Sequence, residues 1–473
     1  MRHPVMLLAV LYSAIVCGTP AFGASSAQSG AQQPAAPVGP LTLKAAVEHA
    51  RAHYPAIRAS LAEVSAADSG IGLAHAAYLP RTDLLLQFNR ATRNNVFGLI
   101  LPNGVIPGIS GPVLGDSTMA STFGSSVGAL FSWEPFDFGL RGANVGVAES
   151  LRRRARAAGE VTEFEVSLGV TESFLAVVAA RQLAEAAKAN VDRLEIFTQS
   201  ISVLVQNELR PGADESRVRA ELAQARIELI RAEQARDAAR VTLAQWLGLA
   251  GSSVEVESGA LQGPPPEEWS AASEISNHPV AEAQSTEVDV VAARGRSLEK
   301  SYRPRVFLES AAFARGTGAQ VDGTHQGGAH GLAPSTGNWA VGASVKFPVF
   351  DYKENRVRRE IAQYQQQAES ARYETVVQRL TAGAEKARLE LESARRVAAT
   401  TPVALEATRV LETQARERYR AGLGTVVEVA DAFRLLRQSE IDDSLARLSV
   451  WRALFAVSAA QGNIDDLLNQ TIP

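Results

Sequence analysis

Three groups of residues in this chain have types and spacings suited to chemistry. Gly124-Ser125-Ser126-Val127-Gly128 matches G-x-S-x-G, the pattern in which a serine nucleophile sits on a sharp turn between a strand and a helix. Here apolar and polar residues keep alternating as far as Trp133, so no helix follows and the elbow is excluded. His325 and His330 share the glycine-rich run THQGGAHG, and two imidazoles can ligate a metal. Such a loop has no scaffold to fix them, so solvated histidines and no metal site are expected. Glu428 and Asp431 are three apart, which puts both carboxylates on one face of a helix. Taken alone, that spacing describes a solvated stripe. Cys17 is the only cysteine, and no glycine-rich phosphate loop leads a helix. Nothing in these groups argues for an enzyme, and no cofactor is implied.

The elements that carry these residues occur in duplicate. Pro55, Ala59, Glu63, Val64, Tyr78, Pro80 and Arg81 meet identical residues at Pro279, Ala283, Glu287, Val288, Tyr302, Pro304 and Arg305 without a gap. WEPFDFGLR (133–141) is answered by FPVFDYKENR (347–356), and LRPGADES (209–216) by YRAGLGTV (419–426). The repeat is far too long for a solenoid, so it implies two copies of one large unit. The expected repeats are 41–263 and 264–463, followed by a C-terminal tail at 464–473.

Within each copy, three- and four-residue steps of apolar residues predict a long helical hairpin. The first rises from Leu140 to Glu208, breaks at Pro211-Gly212 with its tip near 210–216, and returns from Asp214 to Leu247. The second runs from Glu354 to Tyr419, breaks at Gly422 and Gly424 with its tip near 419–426, and returns from Val426 to Ala459. About 70 helical residues span on the order of 100 Å, so each hairpin is a rod. Asp351 and Glu354 have capping-box spacing at the start of the second long helix.

Four segments alternate with period two: about 82–91, 124–136, 305–315 and 338–350. Leu84, Leu86 and Phe88 oppose Asp83, Gln87 and Asn89; Val127, Ala129, Phe131 and Trp133 oppose Ser126, Gly128, Ser132 and Glu134. One apolar face and one small or polar face suit a strand between lipid and water. Trp133, Phe347 and Phe88 near the segment ends would form an aromatic girdle. Pro80, Pro135, Pro304 and Pro348 fall at helix/strand junctions, where a missing backbone donor is tolerated. Four strands cannot close a barrel, so several protomers must complete it. Long, turn-rich loops at 93–121 and 316–337 suit the extracellular side.

The N-terminus reads as an export signal over 1–23: a short basic start, an apolar run from Val5 to Val16, and Ala21-Phe22-Gly23 at cleavage-like positions. A polar extension, 24–40, follows. Lipidation of Cys17 is disfavoured, because Val16 stands where a small residue is expected. With 47 Lys+Arg against 51 Asp+Glu, spread in both signs, there is no basic patch for nucleic acid. Aromatics are 6% of the chain, which favours helices packed through small residues over a large globular core.

LTLKAAVEHARAHYP, the YLPR and PFDFG junctions and RYRAGLGTVVEVADA, taken in order and in duplicate, resemble the TolC-like outer-membrane efflux protein family from about Leu41 to Gly462. The resemblance implies an α+β membrane protein: a homotrimer with a twelve-stranded barrel in outer-membrane lipid above a long α-helical barrel in the periplasm. It also implies a passive export channel of a tripartite efflux or type I secretion system, served by an inner-membrane pump and a periplasmic adaptor. The adaptor would dock at the hairpin tips, matched here by Arg210, Pro211, Gly212, Gly422, Leu423 and Gly424. Glu428 and Asp431 match an acidic pair ringing the entrance, and Tyr419 matches a tyrosine of the closed-state network. The arginine of that network falls on Gly424 and is absent, with Arg217 or Arg219 as candidate substitutes. The alternative is a periplasmic structural or adaptor-like coiled coil, which requires the alternating segments to be soluble sheet.

Overall fold

A computed structural model describes residues 39–92, 119–263, 265–266, 274–318, 324, 326–348 and 351–470, all within the unit Pro37–Pro473. The export signal, Cys17, most of the loop after Thr92, and His325 lie outside the described residues. In chain order the main elements are α1 (Leu43–His53), α2 (Pro55–Ala76), β1 (Arg81–Thr92), β2 (Ser121–Phe136), α3 (Leu140–Gln206) and α4 (Gly212–Trp246). There follow α5 (Pro279–Lys300), β3 (Arg305–Thr317), β4 (Thr336–Lys346), α6 (Tyr352–Arg420), α7 (Val426–Ala460) and α8 (Asp465–Gln470).

These elements form two matching sets. α2 and α5 have 22 residues each and begin with proline at the first helical turn, where a missing N–H is no loss. α4 and α7 have 35 residues each and both end on a left-handed glycine, Gly248 at φ 74° and Gly462 at φ 79°. The register that pairs Trp133 with Phe347 also pairs these two glycines. At α1, the Thr42 side chain caps by accepting from the Ala45 N–H. Within the expected tail at 464–473, residues 465–470 form α8, whose Leu467 and Leu468 are buried against the core.

The four strands form one antiparallel sheet in the order β1-β2-β3-β4. Register puts Leu84, Leu86 and Phe88 of β1 on one face with Ala129, Val127 and Phe131 of β2, Leu308 and Ala312 of β3, and Trp339, Val341 and Val345 of β4. The opposite face is mixed: it carries Asp83, Gln87, Ser126, Ser132, Glu309, Asn338 and Ser344 together with Leu85, Leu130, Phe307 and Phe313. On the apolar face Leu84 is 83% and Trp339 80% exposed. Strands of 11 to 16 residues are long enough to cross a hydrocarbon layer when tilted. No described helix is long and apolar enough to do so.

Prolines punctuate these strands differently from one another. Pro80 and Pro304 immediately precede β1 and β3. Pro135 lies inside β2, where the pairing with β3 slips between Trp133 and Phe136, as a residue without an N–H requires. β4 stops at Lys346, short of the expected 350, with Pro348 two residues beyond. Below β2, Asp137 accepts from the N–H groups of Gly139 (3.0 Å) and Arg141 (2.6 Å), and the Arg141 guanidinium donates to it at 2.9 Å. Burial pushes the Asp137 carboxyl up, but these donors outweigh it and hold the group below its ordinary value. The matching Asp351 makes no side-chain cap, so the expected box with Glu354 does not form; Glu354 pairs with Arg358 instead.

α3 has 67 residues and α6 has 69, each on the order of 100 Å long. α3 packs antiparallel to α4, α6 to α7, and α7 lies against both α3 and α4. One core joins α1, α3, α4, α7 and α8 through Val47, Val170, Phe174, Leu243, Trp451 and Leu467. A second, around Phe197, Tyr419 and Phe433, lies near the tips. Between them, no residue of α6 from 392 to 411 is buried. That stretch contains Pro402, which has no N–H to bond the Ala398 carbonyl. Beside it Thr401 Oγ1 donates to the buried Asp443 at 3.1 Å.

Candidate functional site

The tips close with the same hydrogen bonds. In tip 1 the N–H groups of Glu208 and Leu209 reach the carbonyls of Val205 (2.9 Å) and Leu204 (2.9 Å). In tip 2 those of Gly422 and Leu423 reach Tyr419 (3.1 Å) and Arg418 (2.9 Å). Both are Schellman closures with one left-handed residue, Glu208 at φ 56° and Gly422 at φ 77°. Leu209 therefore corresponds to Leu423, Arg210 to Gly424 and Pro211 to Thr425. This register is four residues away from the LRPGADES/YRAGLGTV match and agrees with that of Trp133 and Phe347. Gly212 consequently makes no turn: it has no positive φ and opens α4.

Tyr419, 2% exposed, is held from several sides. Its hydroxyl donates to Asp214 Oδ2 at 3.1 Å, and its ring meets Phe197 edge-on at 5.7 Å, with Phe433 edge-on to Phe197 at 5.5 Å. Arg210 donates from Nη2 to the Tyr419 carbonyl at 2.5 Å, its guanidinium lying 4.5 Å over the ring. Burial first, then the bond to Asp214, pushes the Tyr419 hydroxyl up to about 12, so it stays a proton donor. Arg219 pairs with Glu215 at 2.6 Å, and Arg217 is exposed. Neither is the arginine found at Tyr419.

Glu428 and Asp431 lie on the first turns of α7 with about half of each side chain exposed. Thr425 caps that helix by accepting from the Glu428 N–H at 3.4 Å. The Glu428 carboxylate is 3.9 Å from Arg418 Nε, and Asp431 pairs with Arg434. A pocket of about 130 Å³ between α3, α6 and α7 is lined by Tyr419, Phe197, Ile201 and Phe433 together with Arg193, Arg416 and Arg420.

The remaining candidates are scattered. Ser126 sits in mid-β2, paired with Gln87 and Arg315, with no helix after it. His330 lies in the described part of its loop, and among the described residues no His/Cys/Asp/Glu cluster fits a metal. Asp214, Arg210 in its contact with Tyr419, and Glu208 were not singled out by motif; the Trp133/Phe347 register, extended to the tips, points to all three.

A sheet with one exposed apolar face, continued by paired helical rods, fits a conduit that spans a membrane. The chain belongs to the outer membrane efflux protein family, whose profile matches residues 46–249 and 296–463. It is an outer-membrane efflux channel reaching into the periplasm, and the family is one of transport conduits. No curated protein matches it in sequence. Its fold is similar to that of CusC, in crystal structures concerned with folding and transmembrane channel formation (TM-score 0.73, 15% identity, 89% of this chain and 92% of that one). The Campylobacter jejuni CmeC outer membrane channel (0.70, 14%, 89% and 85%) and the open state of the Neisseria gonorrhoeae MtrE outer membrane channel (0.69, 16%, 89% and 89%) are similar as well.

Proposed function

We propose that three copies of this chain form one passive conduit, a twelve-stranded barrel continued by a helical barrel, and that it carries no enzymatic activity. The observation that carries this reading is the open sheet. Among the described residues β1 and β4 are the two outer strands of the sheet, and both bear exposed apolar residues. An unpaired edge in hydrocarbon costs several kcal/mol per unsatisfied group, so β1 of one copy pairs with β4 of the next. Exposed Ile230 and Val241 of α4 and Val403 of α6 supply helix faces for the same neighbours.

The tips are the docking surface for a periplasmic adaptor that links the channel to an inner-membrane pump, in a tripartite efflux or type I secretion assembly. In support, Leu209 (67% exposed) and Leu423 (72%) stand at equivalent positions of the two turns. Glu428 and Asp431 ring the entrance. Light scattering in detergent, together with cross-linking of cysteines at Leu85 and Ala340 on the opposite edges, tests the assembly. A trimer with intermolecular cross-links is expected, and a monodisperse monomer would sink the reading.

A further inference from the structure

We propose that the base of the sheet carries a binding surface for anionic phospholipid headgroups of the periplasmic leaflet, formed by Lys300 and Arg303 at the end of α5 with Lys353 and Arg356 at the start of α6. This rests on the reading of the sheet as part of a lipid-embedded barrel. Exposed Leu79, Phe136 and Phe138 mark the level, because they stand where strands give way to helices, and aromatic rings favour a lipid–water boundary. Phe138 holds its place at φ 51°, a left-handed conformation uncommon for a bulky residue, between Asp137 and the N–H groups of Gly139 and Arg141 that it binds.

The cations at this level fall into two sets. Arg81, Arg141, Arg305 and Arg358 are neutralised in place by Asp83 (3.2 Å), Asp137 (2.9 Å), Glu134 (2.6 Å) and Glu354. Lys300, Arg303, Lys353 and Arg356 make no ion pair among the described residues, and all but the half-buried Lys300 are exposed. Printed contacts draw their elements together. The Lys300 stem runs beside Gly139, its Cδ 4.0 Å from where a Cβ would stand, and so next to Phe138. The Tyr302 hydroxyl donates to the Asn355 carbonyl at 3.3 Å, and the Arg359 guanidinium lies 5.1 Å over the Tyr302 ring. Glu299, Asp351 and Glu360, also without ion pairs among the described residues, offset part of the charge; Arg359 adds to it, and the excess is positive. Lys346 is in register with Arg305 on the face opposite Val345, so it does not belong to this surface. Unneutralised ammonium and guanidinium groups, directly below a lipid-facing apolar surface, meet the depth at which lipid phosphates lie, and a phosphate oxygen is the acceptor that both groups favour.

The test reconstitutes the full chain and compares spin-labelled phosphatidylglycerol with spin-labelled phosphatidylcholine at its perimeter by electron paramagnetic resonance, each trimer first checked by light scattering. The wild type is expected to hold the anionic lipid about fivefold over the zwitterionic one, the factor that one cation near an anionic surface supplies. That preference should vanish near 1 M salt, where screening acts within about 3 Å. Lys300→Gln, Arg303→Gln and Arg356→Gln together bring the ratio close to one. Arg379→Gln with Arg396→Gln, exposed cations about 40 Å or more along α6, leave it unchanged. If the triple variant does not assemble, Lys300→Gln with Arg303→Gln decides, and a fully retained preference in it overturns the proposal. Equal binding of the two lipids by the wild type, or a preference that survives the triple change, overturns the headgroup surface and leaves the barrel standing. Absence of an immobilised component for either lipid would instead overturn the reading of the sheet as lipid-embedded.

Discussion

Tip 2 turns on a glycine and starts its next helix with a capping threonine, whereas tip 1 turns on Glu208 and starts its next helix behind Pro211, which makes no cap. The hydrogen bonds are alike, but the intrinsic stabilities are not. A non-glycine residue in the left-handed region costs about 1 kcal/mol, and a missing N-cap about as much again. Tip 2 is a self-sufficient turn. Tip 1 is held in large part by what it grips, Tyr419 of the other hairpin, so contacts between hairpins do for one turn what local residues do for the other.

The strongest way to break this contrast is to make tip 2 pay the strain that tip 1 bears. Gly422→Val puts a β-branched residue at φ 77° and is expected to abolish export while trimer and barrel persist, whereas Gly212→Val, with open space at its Cβ, leaves export intact. Normal export by Gly422→Val would argue against docking at the tips. Next in size is the joint change Glu428→Gln and Asp431→Asn. It should lower cation preference in a planar bilayer severalfold and leave trimer stability unchanged, because both side chains are half exposed. Unchanged selectivity would make them a solvated stripe.

Smaller effects sharpen the comparison turn by turn. Thr425→Ala should destabilise the protein by about 1 kcal/mol, and Glu208→Gly should stabilise it by about 0.5–1 kcal/mol, both read by thermal unfolding. Equal and opposite signs at equivalent turns would be hard to obtain if the tips were interchangeable. The smallest effect concerns the matching starts of α2 and α5, capped by Tyr54 without a side-chain bond and by His278 with one. His278 Nδ1 accepts from the Val280 N–H and Nε2 meets the Ala459 carbonyl, so the ring is held neutral. Burial lowers its pKa, only partly opposed by the bond to Ala459. The folded value is depressed, so this contribution is present above the ordinary pKa of about 6.5 and fades as pH falls through the folded value. His278→Asn keeps a cap and should flatten that acid-side loss; an unaltered pH profile would remove His278 as its source.

The pattern of residues reached the architecture well and the tips less well. Alternation at Leu84-Leu86-Phe88 and Val127-Ala129-Phe131 is legible because one face of β1 and β2 is continuously apolar, whereas β3 carries Phe307 and Phe313 on the other face and alternates less clearly. The helical rods are legible because apolar steps run for tens of residues, without proline in α3 and across a single proline, Pro402, in α6. The turns are not, because arginine, a spacer and glycine recur in LRPG and YRAG at positions that are not equivalent. Glycine also announces a left-handed residue, and Glu208 gives no such notice. Arg210 was hidden for a different reason: its partner lies in the other hairpin, and local spacing carries no information about that contact. Asp351 and Glu354 have capping-box spacing, yet Arg358, one turn on, takes the glutamate.

Pro402 gives the two rods different mechanics. α3 runs proline-free from Leu140 to Gln206 and has Lys188 at the matching place, so it behaves as a strut. α6 has a joint 18 residues above its end at Arg420, a lever arm of about 27 Å. A bend of about 20°, ordinary at a proline, would carry that end roughly 9 Å sideways. The joint itself is lightly packed, because no residue of α6 from 392 to 411 is buried, while the end beyond it is fixed by Ala415 and Tyr419 in the core near the tips. A proline-free rod and a rod with a proline joint thus stand side by side in one chain.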